Sequence, residues 1–312
     1  MRGQKFVADS VDRIRRDGRE GVRDTLYRLY KMGWKRVSWV YDPGHNVYDR
    51  EWDVLVVLDA CSAALMAEVA EEYDFLSEAR TVRSNASRTS DWLRETFGSD
   101  RRRETAETAH VTGTPFSDSH LNPADFALLE EVWEYGWDDD LETIPAEPIT
   151  DRAISHWRSG DYDRMIVHYM QPHFPSVPRP ELESGLQPDQ FGQKWDSVWD
   201  RLRKGELAEA TVRQAYRENL EYVLKNVEVL LTSIDAERVA ITADHGNTFG
   251  RWGLYGHPPA PIAAIRNVPW CETSARDVSG YEPATATRRD NGHVGDAIEG
   301  DVESKLRDLG YL

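Results

Sequence analysis

The stretch Val239-Ala-Ile-Thr-Ala-Asp-His-Gly246 decides the fold. It reads as a short buried strand that delivers two adjacent metal-capable side chains, Asp244 and His245, to its C-terminal edge. Gly246 then lets the backbone turn away. Open α/β sheets place their chemistry in the crevice outside the carboxyl ends of their strands. A second edge of this kind lies upstream, where Asp53-Val-Leu-Val-Val-Leu58 runs into Asp59-Ala60-Cys61. Two strands that each end in an aspartate point to one metal held between them.

Outward from these two strands the chain alternates. A helical arm is expected over 8–33, a helix over 62–73, a short strand at 80–83 and a helix to about 97. His110-Val-Thr112 and Arg164-Met-Ile-Val-His-Tyr-Met170 read as further strands, with 121–158 helical and loop-like between them. Leu207, Ala210, Val212, Tyr216, Leu220, Val223, Val227 and Leu230 recur at helical spacing and predict the longest helix over 206–234. Ala260-Pro-Ile-Ala-Ala-Ile265 is read as the start of another strand, and Val302 to Leu309 as a closing helix. Strands alternating with helices predict a doubly wound α/β fold, a mainly parallel sheet with helices on both faces. The expected division is a helical arm over 1–45 and one catalytic domain over 46–312.

The 312 residues carry 55 acidic and 38 basic side chains, a net charge of −17. Seven of the basic residues are lysine. An acidic, lysine-poor surface suits a protein working in concentrated salt, where screening shortens to roughly 3 Å at 1 M. The same charge argues against nucleic acid as a partner, because phosphate backbones need clustered Lys and Arg. Arg101-Arg-Arg103 is followed by Glu104 and Glu107 and reads as a solvated helix start. Two cysteines, Cys61 and Cys271, are too few for a disulfide framework. No signal peptide or membrane-length apolar run is present in the sequence, so a cytoplasmic location and no transmembrane segment are expected. Residues 22–40 are amphipathic, basic and aromatic, a pattern for a membrane surface or, more commonly, for packing on the chain's own domain. The sequence gives no indication of oligomeric state.

Reactive groups gather at the strand ends: Asp59, the Ser84–Thr89 loop, His173, Asp244, His245 and, shortly after, His257. Oxygen and nitrogen ligands of this kind suit one divalent metal ion, Zn²⁺, Mn²⁺, Mg²⁺ or Ca²⁺. Taken singly, each has a structural explanation; a strand-end Asp commonly caps the following helix. Glu-rich 129–134 and Asp138-Asp-Asp140 read as solvated acidic segments. Trp133, Trp137, Trp195 and Trp199 lie in polar stretches and are either packing residues or stacking surfaces for a sugar or headgroup. His293 has no spacing argument that ties it to the site.

The order Leu58-Asp-Ala-Cys61, Ser87-Arg-Thr-Ser90, His173-Phe-Pro175, Thr242-Ala-Asp-His-Gly246 and Gly256-His257 resembles the sulfatase-like branch of the alkaline phosphatase superfamily, in a salt-adapted, archaeal-type form. The ending Leu309-Gly-Tyr311 is also similar to chain ends in that branch. The resemblance spans about 53–312 and leaves the N-terminal arm outside. It implies an alkaline phosphatase/sulfatase-like fold, with Asp59, Thr89, Asp244 and His245 around the metal. It further implies Thr89 as nucleophile, with His173 and His257 holding the oxygens of the transferred group. Ser84 and Ser87 remain alternatives for the nucleophile. True sulfatases convert Cys or Ser in Cys/Ser-x-Pro-x-Arg to formylglycine; Ser87-Arg-Thr-Ser-Asp-Trp92 has neither that proline nor that arginine. Threonine would oxidise to a ketone, so the pattern favours a phosphate ester over a sulfate ester.

Two-zinc members carry an Asp four residues before a histidine, whereas Tyr169 stands four before His173, which points to one metal. The chain also departs from the pattern after Asp59, where Ser62-Ala-Ala-Leu65 replaces the usual arginine and acid. The expected function is metal-dependent hydrolysis or transfer of a phosphate ester in a small molecule, glycan or lipid headgroup. The alternatives are a sulfatase acting on a sulfated glycan and a non-catalytic glycan- or protein-binding member.

Overall fold

The computed structural model describes residues 2–38, 44–76, 79–160, 162–182 and 197–284. Seven strands form the central sheet: β1 (Val54–Leu58), β2 (Arg80–Arg83), β3 (Thr108–Thr112), β4 (Leu128–Glu131), β5 (Arg164–Tyr169), β6 (Ala236–Thr242) and β9 (Asn267–Ala275). A separate two-stranded ribbon joins β7 (Thr248–Phe249) to β8 (Tyr255–Gly256). The sheet order is β2-β9-β6-β1-β5-β3-β4. The strands β6, β1, β5, β3 and β4 are mutually parallel, and β9 is antiparallel to both of its neighbours.

β1 lies at the centre, and all five of its residues are buried. A strand covered on both faces needs no polar alternation, which explains the unbroken Val-Leu-Val-Val-Leu. Each such side chain contributes roughly 1.5–3 kcal/mol by leaving water. Neighbouring residues on β5 show the two covers directly, because successive side chains point to opposite faces. The His168 ring meets Trp92 of the helix Thr89–Thr96 at 5.4 Å, whereas the Tyr169 hydroxyl meets Thr150 of the helix Ala146–Ser159 at 2.8 Å. The sheet is thus mainly parallel and wound on both faces, as expected from the sequence.

The long helix is Glu209–Leu231, and its buried stripe includes Val212, Tyr216, Leu220, Val223, Val227 and Leu230. Two expectations need correction. Ala260–Ile265 does not begin a strand: it ends in a helical turn, Ala263–Arg266, and β9 starts only at Asn267. The segment 121–158 also contains β4, an edge strand whose half-buried Leu-Leu-Glu-Glu pairs with β3 alone. With one neighbour and partial burial, such a strand needs little apolar signal. The expected helix 302–309 and His293 lie outside the described residues, as does Trp195.

The N-terminal helix runs Arg2–Ser38 and bends at Gly18, where φ is +58°. One side docks on the body: Tyr30 Oη donates to the Trp252 carbonyl (2.6 Å), Tyr27 Oη accepts from the Tyr255 amide (3.1 Å), and Asp24 pairs with Arg203 (2.6 Å). The other side leaves Val7, Val22, Leu26 and Leu29 exposed. Packing on its own domain therefore accounts for only part of its apolar pattern. No helix among the described residues is long and apolar enough to cross a membrane.

Candidate active site

Three adjacent strands, β6, β1 and β5, point their C-terminal ends the same way and deliver the site. Asp59 follows β1, Asp244 and His245 follow β6, and His173 follows β5. Register keeps them level: Val57 lies opposite Thr242 on one side and His168 on the other. The β5 extension is then tied to β1, with the Asp59 amide donating to the Tyr169 carbonyl and the His173 amide to the Asp59 carbonyl, each at 3.1 Å.

Asp59, Asp244 and His245 are wholly buried, and each offers a ligand atom within 4.8 Å of the others. His245 Nε2 lies 3.5 Å from Asp59 Oδ1 and 3.5 Å from Asp244 Oδ2. Asp59 Oδ2 and Asp244 Oδ2 have no hydrogen-bond partner among the described residues. His245 Nδ1 is 3.1 Å from the Gly246 carbonyl, which can only accept, so Nδ1 carries the hydrogen. His245 Nε2 faces the two carboxylates. Burial first, and then the charge of Asp244, push the Asp59 carboxyl well above its usual range. Two unpartnered carboxylate oxygens and a ring nitrogen converge in this buried space, a candidate cation cradle, and the donor set fits one divalent metal. Two carboxylates and an imidazole do not distinguish among Zn²⁺, Mn²⁺ and Mg²⁺.

Thr89 is the first residue of the helix Thr89–Thr96 and is buried. Its Oγ1 lies 3.5 Å from Asp59 Oδ1 and 3.4 Å from His245 Nε2, so the hydroxyl touches the cradle. Ser84, the alternative, is spent elsewhere: its hydroxyl donates to the Asp244 carbonyl. Ser87 is buried in the same loop. The Ser84 carbonyl is in turn gripped by Arg266 Nε at 2.8 Å, which fixes the loop leading to Thr89.

His173 and His257 face each other, with their Nε2 atoms 3.0 Å apart. His173 Nδ1 donates to the Phe174 carbonyl, so its Nε2 accepts the His257 hydrogen. Burial, then repulsion from His245, lowers His173 to about 3, and His257 is pushed well below its usual value chiefly by burial. Both rings are neutral in the free protein. The His257 ring also stacks on His245, with centroids 4.6 Å apart, so the pair borders the cradle. Asn219 on the long helix holds this loop by donating to the Pro172 and His173 carbonyls at 3.2 and 3.0 Å.

The structure thus brings together all six expected residues: Asp59, Thr89, His173, Asp244, His245 and His257. Sequence reading missed three that shape the site. Ala60 takes a left-handed conformation, φ +64°, which costs a non-glycine residue roughly 1–3 kcal/mol. That turn aims the Ala60 amide at Asp244 Oδ1 (3.0 Å) and its carbonyl at the Tyr216 hydroxyl. Asn247 Nδ2 then donates to Tyr216 Oη at 3.3 Å. In the sequence Tyr216 is one more position of the helix stripe, and nothing in its spacing marks the hydroxyl. Asn247, adjacent to Asp-His-Gly, was the findable one. Gly246 is required by close approach, since a Cβ there would lie 2.6 Å from the Ala264 carbonyl oxygen and 2.8 Å from Ser62 Cβ.

The remaining expectations resolve locally. Trp199 packs edge-on against Phe174 and Tyr216, and Trp133 Nε1 donates to Ser117 Oγ at 3.0 Å. Asp138 Oδ1 accepts from the Asp140 and Leu141 amides, a turn rather than a ligand set. Cys61 and Cys271 are both buried and unbridged.

No family model and no curated protein matches the chain. Among solved structures it is similar to the soluble domain of lipooligosaccharide phosphoethanolamine transferase A from Neisseria meningitidis, at 14% identity over 71% of this chain and 75% of that one, TM-score 0.49. It is similar to the C-terminal periplasmic domain of a phosphoethanolamine transferase from Campylobacter jejuni, at 17% identity over 71% and 78%, TM-score 0.49. A protein in the alkaline phosphatase superfamily from Vibrio parahaemolyticus is similar at 12% identity over 80% and 69%, TM-score 0.39. These are likenesses of fold.

Proposed function

We propose that the chain is a divalent-metal-dependent hydrolase or transferase acting on a phosphate ester, with Thr89 as its nucleophile. The observation that carries this reading is the contact of a helix-N-terminal hydroxyl with a buried Asp59–Asp244–His245 cradle. These three residues would hold the metal, and when bound it supplies Lewis-acid charge that makes an alkoxide accessible near neutral pH.

The chain's own groups account for the rest. Thr89 Oγ1 directs its hydrogen at Asp59 Oδ1 and is held on the first turn of a helix whose leading amides have no intrahelical acceptor. Those amides favour the oxygens of a phosphoryl group. As Thr89 Oγ1 bonds to phosphorus its hydrogen passes by way of Asp59 Oδ1 to solvent, the ester P–O bond breaks, and the departing oxygen takes a proton from water. Attack on the phosphothreonine by water completes hydrolysis; attack by a second hydroxyl completes transfer. His173 and His257 border the cradle and serve the non-bridging oxygens. Their depressed basicity keeps both rings neutral, and an anion beside them would raise it, so that each could take up a proton and donate to the anion's oxygens.

The same geometry supports phosphate over sulfate chemistry, because a threonine in the nucleophile position cannot supply an aldehyde hydrate. The acidic, lysine-poor composition supports work in concentrated salt. The test is turnover of aryl phosphate mono- and diesters in molar KCl with Mn²⁺ or Zn²⁺, followed by mass spectrometry of acid-quenched protein. A phosphoryl adduct on Thr89, absent from Thr89→Ala, is expected. Full turnover by Thr89→Ala would overturn the nucleophile, and no turnover by the metal-loaded wild type would overturn the activity.

A further inference from the structure

Beside the cradle lies a cavity of about 380 Å³, within the size range of small-molecule sites. Its inner wall includes His257 and Arg88, the residue immediately before Thr89. Its outer wall is built by the N-terminal helix, which contributes Tyr27, Arg28, Lys31 and Lys35. The sequence resemblance stops short of this helix, so its place in the site comes from the structure alone.

Charge singles this wall out. The chain as a whole carries −17, yet residues 2–38 hold eleven basic and five acidic side chains. Lys31 is the most telling of them. Among the described residues its ammonium has no carboxylate in ion-pair range and rests on the Tyr27 ring, 5.0 Å from the centroid. Asp200, the acid of the cavity wall, acts favourably on Lys31 from beyond ion-pair range and contacts Arg203 at 3.4 Å and Ser197 Oγ. Burial lowers Lys31 below its usual value, a cost that an anion in the cavity would offset. Lys31 and Arg88 both act electrostatically on His257, so the helix cations and the candidate catalytic histidine share one field.

We propose that this cavity receives the part of the substrate beyond the scissile ester, and that Lys31 and Arg28 select a second anionic group there, a carboxylate or a phosphate. The inference rests on the reading of the cradle as a phosphoryl site. It adds a specificity that the cradle does not contain: the helix at 2–38 is a substrate-binding element, and esters of uncharged alcohols are poor ligands.

The test compares two non-hydrolysable probes, 3-phosphonopropionate and propylphosphonate, which differ by a terminal carboxylate against a methyl group. Binding to the Mn²⁺-loaded full chain is measured by calorimetry for wild type, Lys31→Met and Arg28→Gln. Both substitutions keep good helix formers. Wild type is expected to bind the carboxylate-bearing probe at least roughly 10-fold more tightly, the scale of one charge-assisted hydrogen bond. Lys31→Met is expected to lose that preference while its affinity for propylphosphonate stays unchanged, which also shows that the variant is folded. Equal affinity of the two probes for wild type, or an undiminished preference in both variants, overturns the second-anion site and leaves the cradle standing. Failure of either probe to bind wild type overturns the phosphoryl reading and the inference together.

Discussion

Two pairs of buried histidines lie on this sheet, and they have opposite characters. His173 and His257 sit beyond the strand ends, 3.0 Å apart through Nε2 and beside the candidate cation cradle, and His257 also lines a cavity. His110 and His168 sit within β3 and β5, their rings stacked 6.0 Å apart among Trp92, Phe97 and Phe126. The ring nitrogens of His110 and His168 have no hydrogen-bond partner among the described residues. All four rings are held neutral by burial. Residue type and burial therefore do not distinguish a functional pair from a packing pair. Position relative to the strand end does, because the crevice there is the one place where buried polar atoms can face a ligand.

The largest effect that would break this contrast comes from the cradle beside the first pair. Asp244→Asn keeps the size of the side chain and removes a charge and a ligand. Metal affinity is expected to fall by more than roughly 100-fold, beyond what loss of an outer-sphere partner costs. Titration with Mn²⁺ followed by calorimetry checks it. Next, His257→Gln removes a ring that borders the proposed phosphoryl position. It is expected to lower kcat by roughly 10²–10³-fold, as loss of one transition-state donor does, with little change in melting temperature. A loss of stability with unchanged kcat would place His257 with the packing pair.

The second pair gives a smaller effect of another kind. Burial lowers His168 to about 4 and His110 well below its usual value. Unfolded histidines titrate near 6.5. Depressed folded values mean that the unfolded state binds more protons below that point, so stability is full above about pH 6.5 and falls toward pH 4. For His168 the loss is roughly 3 kcal/mol across that window. The variant His110→Phe with His168→Leu is expected to flatten the fall in urea-melt stability over this range while leaving kcat within roughly a factor of 3 of wild type.

Smallest is the effect of Gly246→Ala. Its Cβ would meet the Ala264 carbonyl and Ser62, and overpacking of this kind costs roughly 1–3 kcal/mol. Metal affinity is expected to drop alongside, since the turn that presents His245 must shift.

How much of this was legible in the sequence follows from the same geometry. β1, β5 and β6 were readable because strands buried on both faces are written as apolar runs, and Asp59, His173, Asp244 and His245 stand at or just past their ends. β4 was not, because a half-buried edge strand pairing on one side needs only Leu128 and Leu129. The start of β9 was displaced by a helical turn at Ala263–Arg266 that no local pattern announces. Tyr216 and Ala60 escaped for a different reason. Their roles depend on a hydroxyl and a backbone turn meeting across 156 positions of chain, and one-dimensional spacing carries no such information. The N-terminal helix was legible as an amphipathic element, but its basic residues as a cavity wall were not, since what faces them is Arg88 and His257.

The central claim is that Asp59, Asp244 and His245 hold one divalent ion. The most direct measurement is elemental analysis of salt-equilibrated protein after exposure to Mn²⁺ or Zn²⁺ and desalting, for wild type and for the double variant Asp59→Asn, Asp244→Asn. One ion per chain in wild type and none in the folded double variant is the predicted result. A wild type without stoichiometric metal, or a double variant that retains it, would contradict the account.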